Sequence, residues 1–420
     1  MDKEIYRKIV IIQFIAFGSY APMNYYNVLL KNIGFDSARI GLLGSVSSII
    51  AALTLPLWGV LSDKTASAKK LFLLSLIIYA AIFAALPAAG NMAAYTFMPI
   101  YTLIVLYSLV RQPTHSLQDA WILGMSGRYG FNFTATRKWG SFGFAVVSVL
   151  LGFIAVRAGT GLTFYFAPAL IIPLLVFCRD FPPREETSLE PRVAPAAQVD
   201  AVNAASPGAL TPVEPNTVKI RPWTLFKNYR LMTAFIMTVA LSFYVALVSP
   251  FYPFILESAG LDANLYGVIS GYGAFVQVVC MWFVSTRCRK TPLHVILIAG
   301  ALVGVGEQVM YGLASGFIMM MAAGTLWGIS MAIYVSTLPT YIHSLVPHTH
   351  TATALSLNGA LVMLVTIVGN YSGGRLISGI GIDAYNYALA ALRGALTLLF
   401  ILSLLVGKKI NRLSDKASAP

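Results

Sequence analysis

Two stretches of the sequence place charged and aromatic side chains at spacings that would bring them together. Arg111, His115 and Asp119 recur every four residues, so they share one face of a helix. Arg137 opens the next apolar stretch, in a run of Arg-Lys-Trp-Gly-Ser-Phe-Gly-Phe that ends at Phe144. Charges inside a membrane are costly unless they face a wet cavity or each other. Asp119 and Arg137 can equally form a structural ion pair.

The segments that position these residues are long and apolar. The 420 residues are 57% hydrophobic and 11% charged, whereas a soluble domain is about 25% charged. A helix needs about 20 apolar residues to cross a bilayer, and twelve stretches have this character. They lie near residues 7–30, 38–62, 70–89, 93–122, 137–157, 161–178, 229–256, 264–286, 293–313, 316–342, 351–374 and 385–407. We therefore predict an all-α membrane protein with twelve transmembrane helices.

Basic residues explain the net charge of +13 and predict the topology. They cluster near residues 3–8, 64–70, 128–138, 179–230, 287–290 and 408–416, and alternate with connections that carry little charge. Short basic loops are retained in the cytoplasm during insertion. We expect a multi-pass protein of the plasma (cytoplasmic) membrane with both termini in the cytoplasm. This distribution argues against a nucleic-acid partner.

A proline-rich segment divides the chain into two sets of six spans. We predict an N-terminal six-helix bundle over residues 1–178 and a flexible cytoplasmic linker over residues 179–228. A C-terminal six-helix bundle with a short cytoplasmic tail then occupies residues 229–420.

The two halves also repeat one another in a single register. Gly34-Phe-Asp36 aligns with Gly260-Leu-Asp262, and Tyr26 aligns with Tyr252. We call the shift that carries Tyr26 onto Tyr252 the repeat offset. Matches at one offset across a short region favour an internal duplication, which predicts two pseudo-symmetric bundles.

The loop after the second span contains Gly59, Asp63 and Lys64, followed by Lys69-Lys70. It resembles the signature between helices two and three of the major facilitator superfamily. The resemblance implies the major facilitator fold, and it implies that Gly59, Asp63 and Lys64 form part of a gate on the cytoplasmic side.

The fourth and fifth spans resemble the lactose-permease-like branch of that superfamily, with its phenylpropionate and nucleoside permease relatives. In that branch an acid on helix four precedes an Arg that opens helix five, at the same spacing that separates Asp119 from Arg137. The resemblance implies that both contact substrate, with Ser141 at the position of a small residue and Phe144 at that of a stacking aromatic. Galactoside carriers have Trp there, so this substrate does not carry over.

Further lining residues are expected on helix one and in the second half. We predict that Asn24, Tyr25, Tyr244 and Gln277 also contact the substrate, a set that suits a neutral or aromatic organic solute. A belt of interfacial tyrosines is the alternative.

Coupling to an ion requires a carboxylate inside the membrane, and the predicted spans contain Asp119 and Glu307. We predict that Glu307, Asp119 and His115 take part in coupling to protons, with sodium as the alternative ion. Glu307 can instead be a buried acid paired with Arg393 or Gln308. Arg393, like Arg375, is expected near the outer end of its helix, where a long side chain reaches the interface.

No motif indicates an enzyme, a metal site or a cofactor, and the three cysteines are scattered at Cys178, Cys280 and Cys288. The sequence predicts a secondary active transporter that moves a sugar, nucleoside or aromatic acid by proton symport, through alternating access. A drug/proton antiporter and a transporter-derived solute sensor are the alternatives. The expected partners are a small-molecule substrate, the coupling ion and the lipid bilayer, and we expect a monomer.

Overall fold

The computed structural model describes residues 3–65, 67–131, 133–181, 229–288, 290–346 and 351–417. Within these ranges it does not describe the side chains of residues 63, 127, 134, 135, 180, 244, 285, 352 and 407–417. Most of the predicted linker therefore lies outside the described residues, and so do the side chains of Asp63 and Tyr244.

Fifteen α-helices make up nearly all of the described chain. In chain order they are α1 (Lys3–Ser19), α2 (Tyr26–Asn32), α3 (Ser37–Thr65), α4 (Ala68–Met92), α5 (Met98–Tyr129), α6 (Phe133–Ala158), α7 (Thr160–Phe164), α8 (Phe166–Phe177), α9 (Tyr229–Phe243), α10 (Tyr252–Ser258), α11 (Tyr266–Arg287), α12 (Leu293–Leu313), α13 (Gly316–Leu345), α14 (Thr351–Ile380) and α15 (Ile382–Ala417).

The described helices confirm a multi-pass membrane protein. Nine helical stretches in the described ranges are long and apolar enough to cross a bilayer, and the bent pair around α9 and α10 makes up to ten. The other two predicted spans are the broken helix α1–α2 and helix α5. Helix α1 has only 17 residues before its break, and α5 carries Arg111, Gln118 and Asp119.

The first span of each half breaks at matching positions. Helix α2 runs from Tyr26 to Asn32 and α10 from Tyr252 to Ser258, so both limits are related by the repeat offset of the sequence matches. Gly34 and Gly260 follow with φ of 93° and 73°, a backbone conformation that glycine adopts without steric cost. The sequence repeat therefore corresponds to a repeat in backbone structure.

The halves meet along two helix pairs, α3 with α14 and α6 with α11. Glycines allow these approaches, since a Cβ at Gly41 would collide with the Asn370 backbone and one at Gly271 would press on Val149. Without a hydrophobic force between helices in lipid, such close packing supplies the dispersion contact that holds them together.

Candidate functional site

Asp119 and Arg137 form an ion pair inside the N-terminal half. The Arg137 Nε lies 3.3 Å from Asp119 Oδ1, and the side chains are 14% and 13% exposed. Helix α5 ends at Tyr129, and Gly130 follows with a φ of 68°, which lets the chain turn back into α6. The predicted substrate-binding pair is thus brought together, in the geometry of an ion pair.

The contact between the two charges is loose. Asp119 Oδ1 accepts no hydrogen bond from the described residues, while the Arg137 guanidinium lies 3.8 Å from the centre of the Phe17 ring. A stacked guanidinium keeps its edge N–H groups available. The pair therefore has donor and acceptor capacity left for a ligand.

A chain of polar side chains near this pair joins helix α5 to helix α1. The His115 and Tyr20 rings lie 4.2 Å apart. The Tyr20 hydroxyl donates to Gln118 Oε1 at 2.9 Å, and Gln118 Nε2 donates to Gln13 Oε1 at 2.9 Å. Sequence reasoning identified His115 but missed the two glutamines, although Gln118 shares the helix face of Arg111.

The predicted binding residues of helix α6 share a face. Arg137, Ser141, Phe144 and Ser148 follow at steps of four, three and four residues, which is the spacing of one helix face. Asn24 Nδ2 lies 3.2 Å from the hydroxyl oxygens of both Ser148 and Ser270. Asn24 thus connects the first span to α6 in its own half and to α11 in the other half, at the end of this face.

Tyr25 is held between the halves and does not line a space. Its side chain has no exposed area, and its hydroxyl donates to the Asn264 carbonyl at 3.4 Å. The end of its ring packs so closely on Gly267 that a Cβ there would collide with it. Closure of the two halves buries Tyr25 in this conformation. Its contact with substrate stays a prediction for a state in which the halves separate. Gln277 lies half-buried on α11.

Glu307 forms a fully buried ion pair with Arg393. The Arg393 Nη1 lies 3.2 Å from Glu307 Oε2 and donates to the Gly304 carbonyl at 2.9 Å, while Nη2 donates to Ser330 Oγ at 2.8 Å. Arg393 is 1% exposed and sits in the middle of α15. The expectation that Arg393 lies near an outer end is wrong, because it fills the space beside Gly304 in the core of the C-terminal half.

The predicted gate lies at the end of the molecule where helix α1 begins and helix α15 ends. Gly59 and Lys64 belong to the last turns of α3, and Lys64 is exposed, while the Asp63 side chain lies outside the described residues. Lys69 behaves differently, since it is buried, contacts the Phe181 carbonyl and lies 5.9 Å from the Trp121 ring centre. It ties the start of α4 to the end of the six-helix half.

At the opposite end the two halves are joined by polar contacts. Lys31 on α2 and Glu257 on α10 form an ion pair of 2.7 Å, and these two positions are again related by the repeat offset. Ser37 Oγ donates to the Gly374 carbonyl at 3.0 Å, and Thr160 Oγ1 donates to Asn264 Oδ1 at 2.5 Å. These contacts hold the halves together at this end.

Nothing in the described ranges forms a metal centre, because no group of three or more His, Cys, Asp or Glu side chains is close enough to hold an ion. The polar groups of the interior are instead ion pairs and amide or hydroxyl chains between helices. These polar groups and the fold together are typical of a membrane transporter of the major facilitator type.

The sequence matches the family described as MFS_1 like family over residues 6–390, and the chain belongs to that family. It is 23% identical to the maltose permease of Geobacillus stearothermophilus over 406 residues, covering 95% of this chain and 94% of the permease. It is 22% identical to the uncharacterized transporter YwbF of Bacillus subtilis (strain 168), covering 83% and 79% of the two chains.

Solved structures show the same fold. The nucleoside transporter NupG superposes with a TM-score of 0.73 at 16% identity, covering 96% of this chain and 99% of its own. An auto-inhibited peptide transporter of the POT family superposes with a TM-score of 0.67 at 12% identity, covering 95% and 96% of the two chains. Family and fold thus identify a transporter and confirm the predicted architecture.

Proposed function

We propose that this transporter is a secondary active carrier that moves a sugar, nucleoside or aromatic acid together with protons by alternating access. The observation that carries the proposal is the Asp119–Arg137 pair, which is shielded but 13–14% exposed and keeps unused hydrogen-bonding capacity. Charged groups inside a membrane are costly unless they pair or face a wet cavity. A loose pair of this kind suits a binding site better than a structural clamp.

The similarity to a maltose permease and to a nucleoside transporter supports a small polar organic solute. Ser141 and Phe144 follow Arg137 on the same face of α6. In the proposed site Arg137 and Asp119 bind polar groups of the solute, and Phe144 packs on its ring. Tyr244 and Gln277 are proposed to complete the site from the second half.

Alternating access requires that the two ends of the molecule open in turn. The contacts of Lys31 with Glu257 and of Thr160 with Asn264 fit a state closed at the end opposite the termini. We place that end outside the cell, with both termini in the cytoplasm of a plasma-membrane protein. Asp63, with Gly59 and Lys64, is proposed to bias the other gate.

Two carboxylates are candidates for the proton carrier. Asp119 has access to water through its exposed fraction, whereas Glu307 is fully buried beside Arg393. Because a coupling carboxylate must exchange its proton as the cavity opens, the geometry favours Asp119, with His115 one turn away. Glu307 stays a candidate if the C-terminal half rearranges during transport.

Uptake into proteoliposomes tests the proposal. Sugars, nucleosides and aromatic acids are offered at two pH values, with and without an imposed proton gradient. Asp119→Asn and Arg137→Ala are expected to abolish uptake while both proteins still insert into the membrane. Asp383→Asn is the matched control, because Asp383 is exposed in the first turn of α15.

Normal uptake by both variants of the pair would reject it as the binding site. A solute that binds the protein but never accumulates would instead indicate a sensor. Uphill accumulation retained by Glu307→Gln would exclude Glu307 as the sole proton carrier.

A further inference from the structure

Arg111 lies in the middle of α5 on the side that faces the protein interior. Ile104, Tyr107 and Gln118 lie on the same side, at steps of three, four and seven residues, and all three are buried. Val105, Leu106 and Leu123 are among the exposed apolar residues of α5, and they point to other sides. Arg111 is itself exposed. Its guanidinium therefore opens into a space between helices and does not reach into lipid.

Tyrosines and one histidine lie near this guanidinium. It lies 5.9 Å from the centre of the Tyr107 ring, and it is close enough to interact electrostatically with Tyr26, Tyr79 and His115. The Tyr107 ring lies 5.6 Å from that of Tyr26 and 5.9 Å from that of Tyr79. The surroundings offer aromatic faces and hydroxyl groups.

Within the described spans, no carboxylate is left to neutralise the charge of Arg111. Asp119 is paired with Arg137 and Glu307 with Arg393. Within the described part of the chain Arg111 forms no ion pair with a carboxylate. A lone arginine at this depth is unfavourable unless water or an opposite charge neutralises it. A ligand with a negative charge would supply the missing partner.

We propose that Arg111 binds an anionic group of the substrate, a carboxylate, while Tyr26 and Tyr107 contact the body of the molecule. Arginine offers planar, paired donors that match a carboxylate. The inference rests on the proposed function and narrows it to an organic acid, either an aromatic acid or the acid form of a sugar.

Two probe pairs that differ in one charged group test this assignment. They are 3-phenylpropionate with 3-phenylpropionamide, and glucuronate with glucose. Binding to the purified full-length protein is measured by thermal stabilisation and calorimetry, and uptake is measured separately in proteoliposomes. We expect at least one acid to bind at least tenfold more tightly than its neutral partner.

Arg111→Gln is expected to remove that tenfold preference and leave the affinity for the neutral partner unchanged. Arg111→Lys keeps the charge and is expected to retain part of the preference, which separates recognition from misfolding. Arg375→Gln is the matched control, because Arg375 is also exposed and lies over a tyrosine ring, 4.7 Å from the centre of Tyr371. It is expected to bind the acid as the unaltered protein does.

The outcomes separate this inference from the proposed function. Acid binding that depends on Arg111 but brings no uptake would support the assignment and reject transport. Uptake of glucose or of a nucleoside without binding of either acid would uphold transport and overturn the assignment. Acid binding that Arg111→Gln leaves intact would also overturn it.

Discussion

The buried Arg393–Glu307 pair gives a stability prediction whose size follows from its surroundings. Arg393→Met keeps much of the side-chain length but removes the charge that faces Glu307 Oε2 at 3.2 Å. Ser330 still donates to the Gly300 carbonyl at 3.0 Å, so it keeps a partner. Glu307 loses its ion-pair partner and keeps only Tyr311 beside it, while its other oxygen accepts no hydrogen bond from the described residues. The main cost is therefore an unpaired buried carboxylate.

Removing one partner of a buried ion pair costs about 3–5 kcal/mol. We expect Arg393→Met to lose about that much free energy of unfolding, measured by reversible unfolding in lipid–detergent micelles and followed by tryptophan fluorescence. Replacing both partners, with Glu307→Met added, is expected to recover most of the loss, because no charge then remains buried.

Arg375→Met serves as the control, since Arg375 contacts an exposed tyrosine ring and forms no ion pair with a carboxylate of the described residues. Its loss should stay below about 1 kcal/mol. An Arg393→Met protein as stable as the unaltered one would refute the reasoning. A double variant that loses the sum of the two single effects would refute it as well.

Two further predictions concern the contacts between helices. Lys31 and Glu257 lie 2.7 Å apart, so reversing the charge of either one places like charges next to each other. Each reversal should increase hydrogen exchange at the tips of α2 and α10, and exchanging the two residues should restore protection. Gly143→Val would drive its side chain into the Phe14 backbone and should cost about 1–3 kcal/mol of unfolding free energy. Gly379→Val, with no heavy atom within 4 Å of a new Cβ, should cost less. Equal losses for the two glycines would contradict the packing argument.

The architecture could be predicted because hydropathy and the internal repeat act over long stretches of chain. Helices α3, α11 and α12 follow the predicted spans within a few residues at most ends. Helix α5 does not have the composition of an ordinary span, because Arg111, Gln118 and Asp119 lower its hydropathy. Polar residues placed inside a span weaken the signal of the helix that carries them.

Contacts between distant helices were harder to predict. The pairing of Asp119 with Arg137 could be predicted, because their spacing in the sequence matches that of an acid and an Arg in the family that the chain resembles. Arg393 was misplaced, because hydropathy does not show which side of a helix faces a glycine on its neighbour. The burial of Tyr25 was missed for a related reason, since it depends on how the two halves close.

The ion pair at the closed end has a consequence for how such a molecule can be built. Lys31 and Glu257 occupy equivalent positions of the two repeats. In an assembly of two identical halves, each of these positions would carry the same residue, and like charges would repel where the tips now attract. When the halves are joined in one chain, each repeat can mutate independently of the other. A contact close to the axis that relates the two repeats can then carry opposite charges. A fused chain can therefore form the ion pair that holds this end shut, whereas a symmetric dimer of its halves cannot.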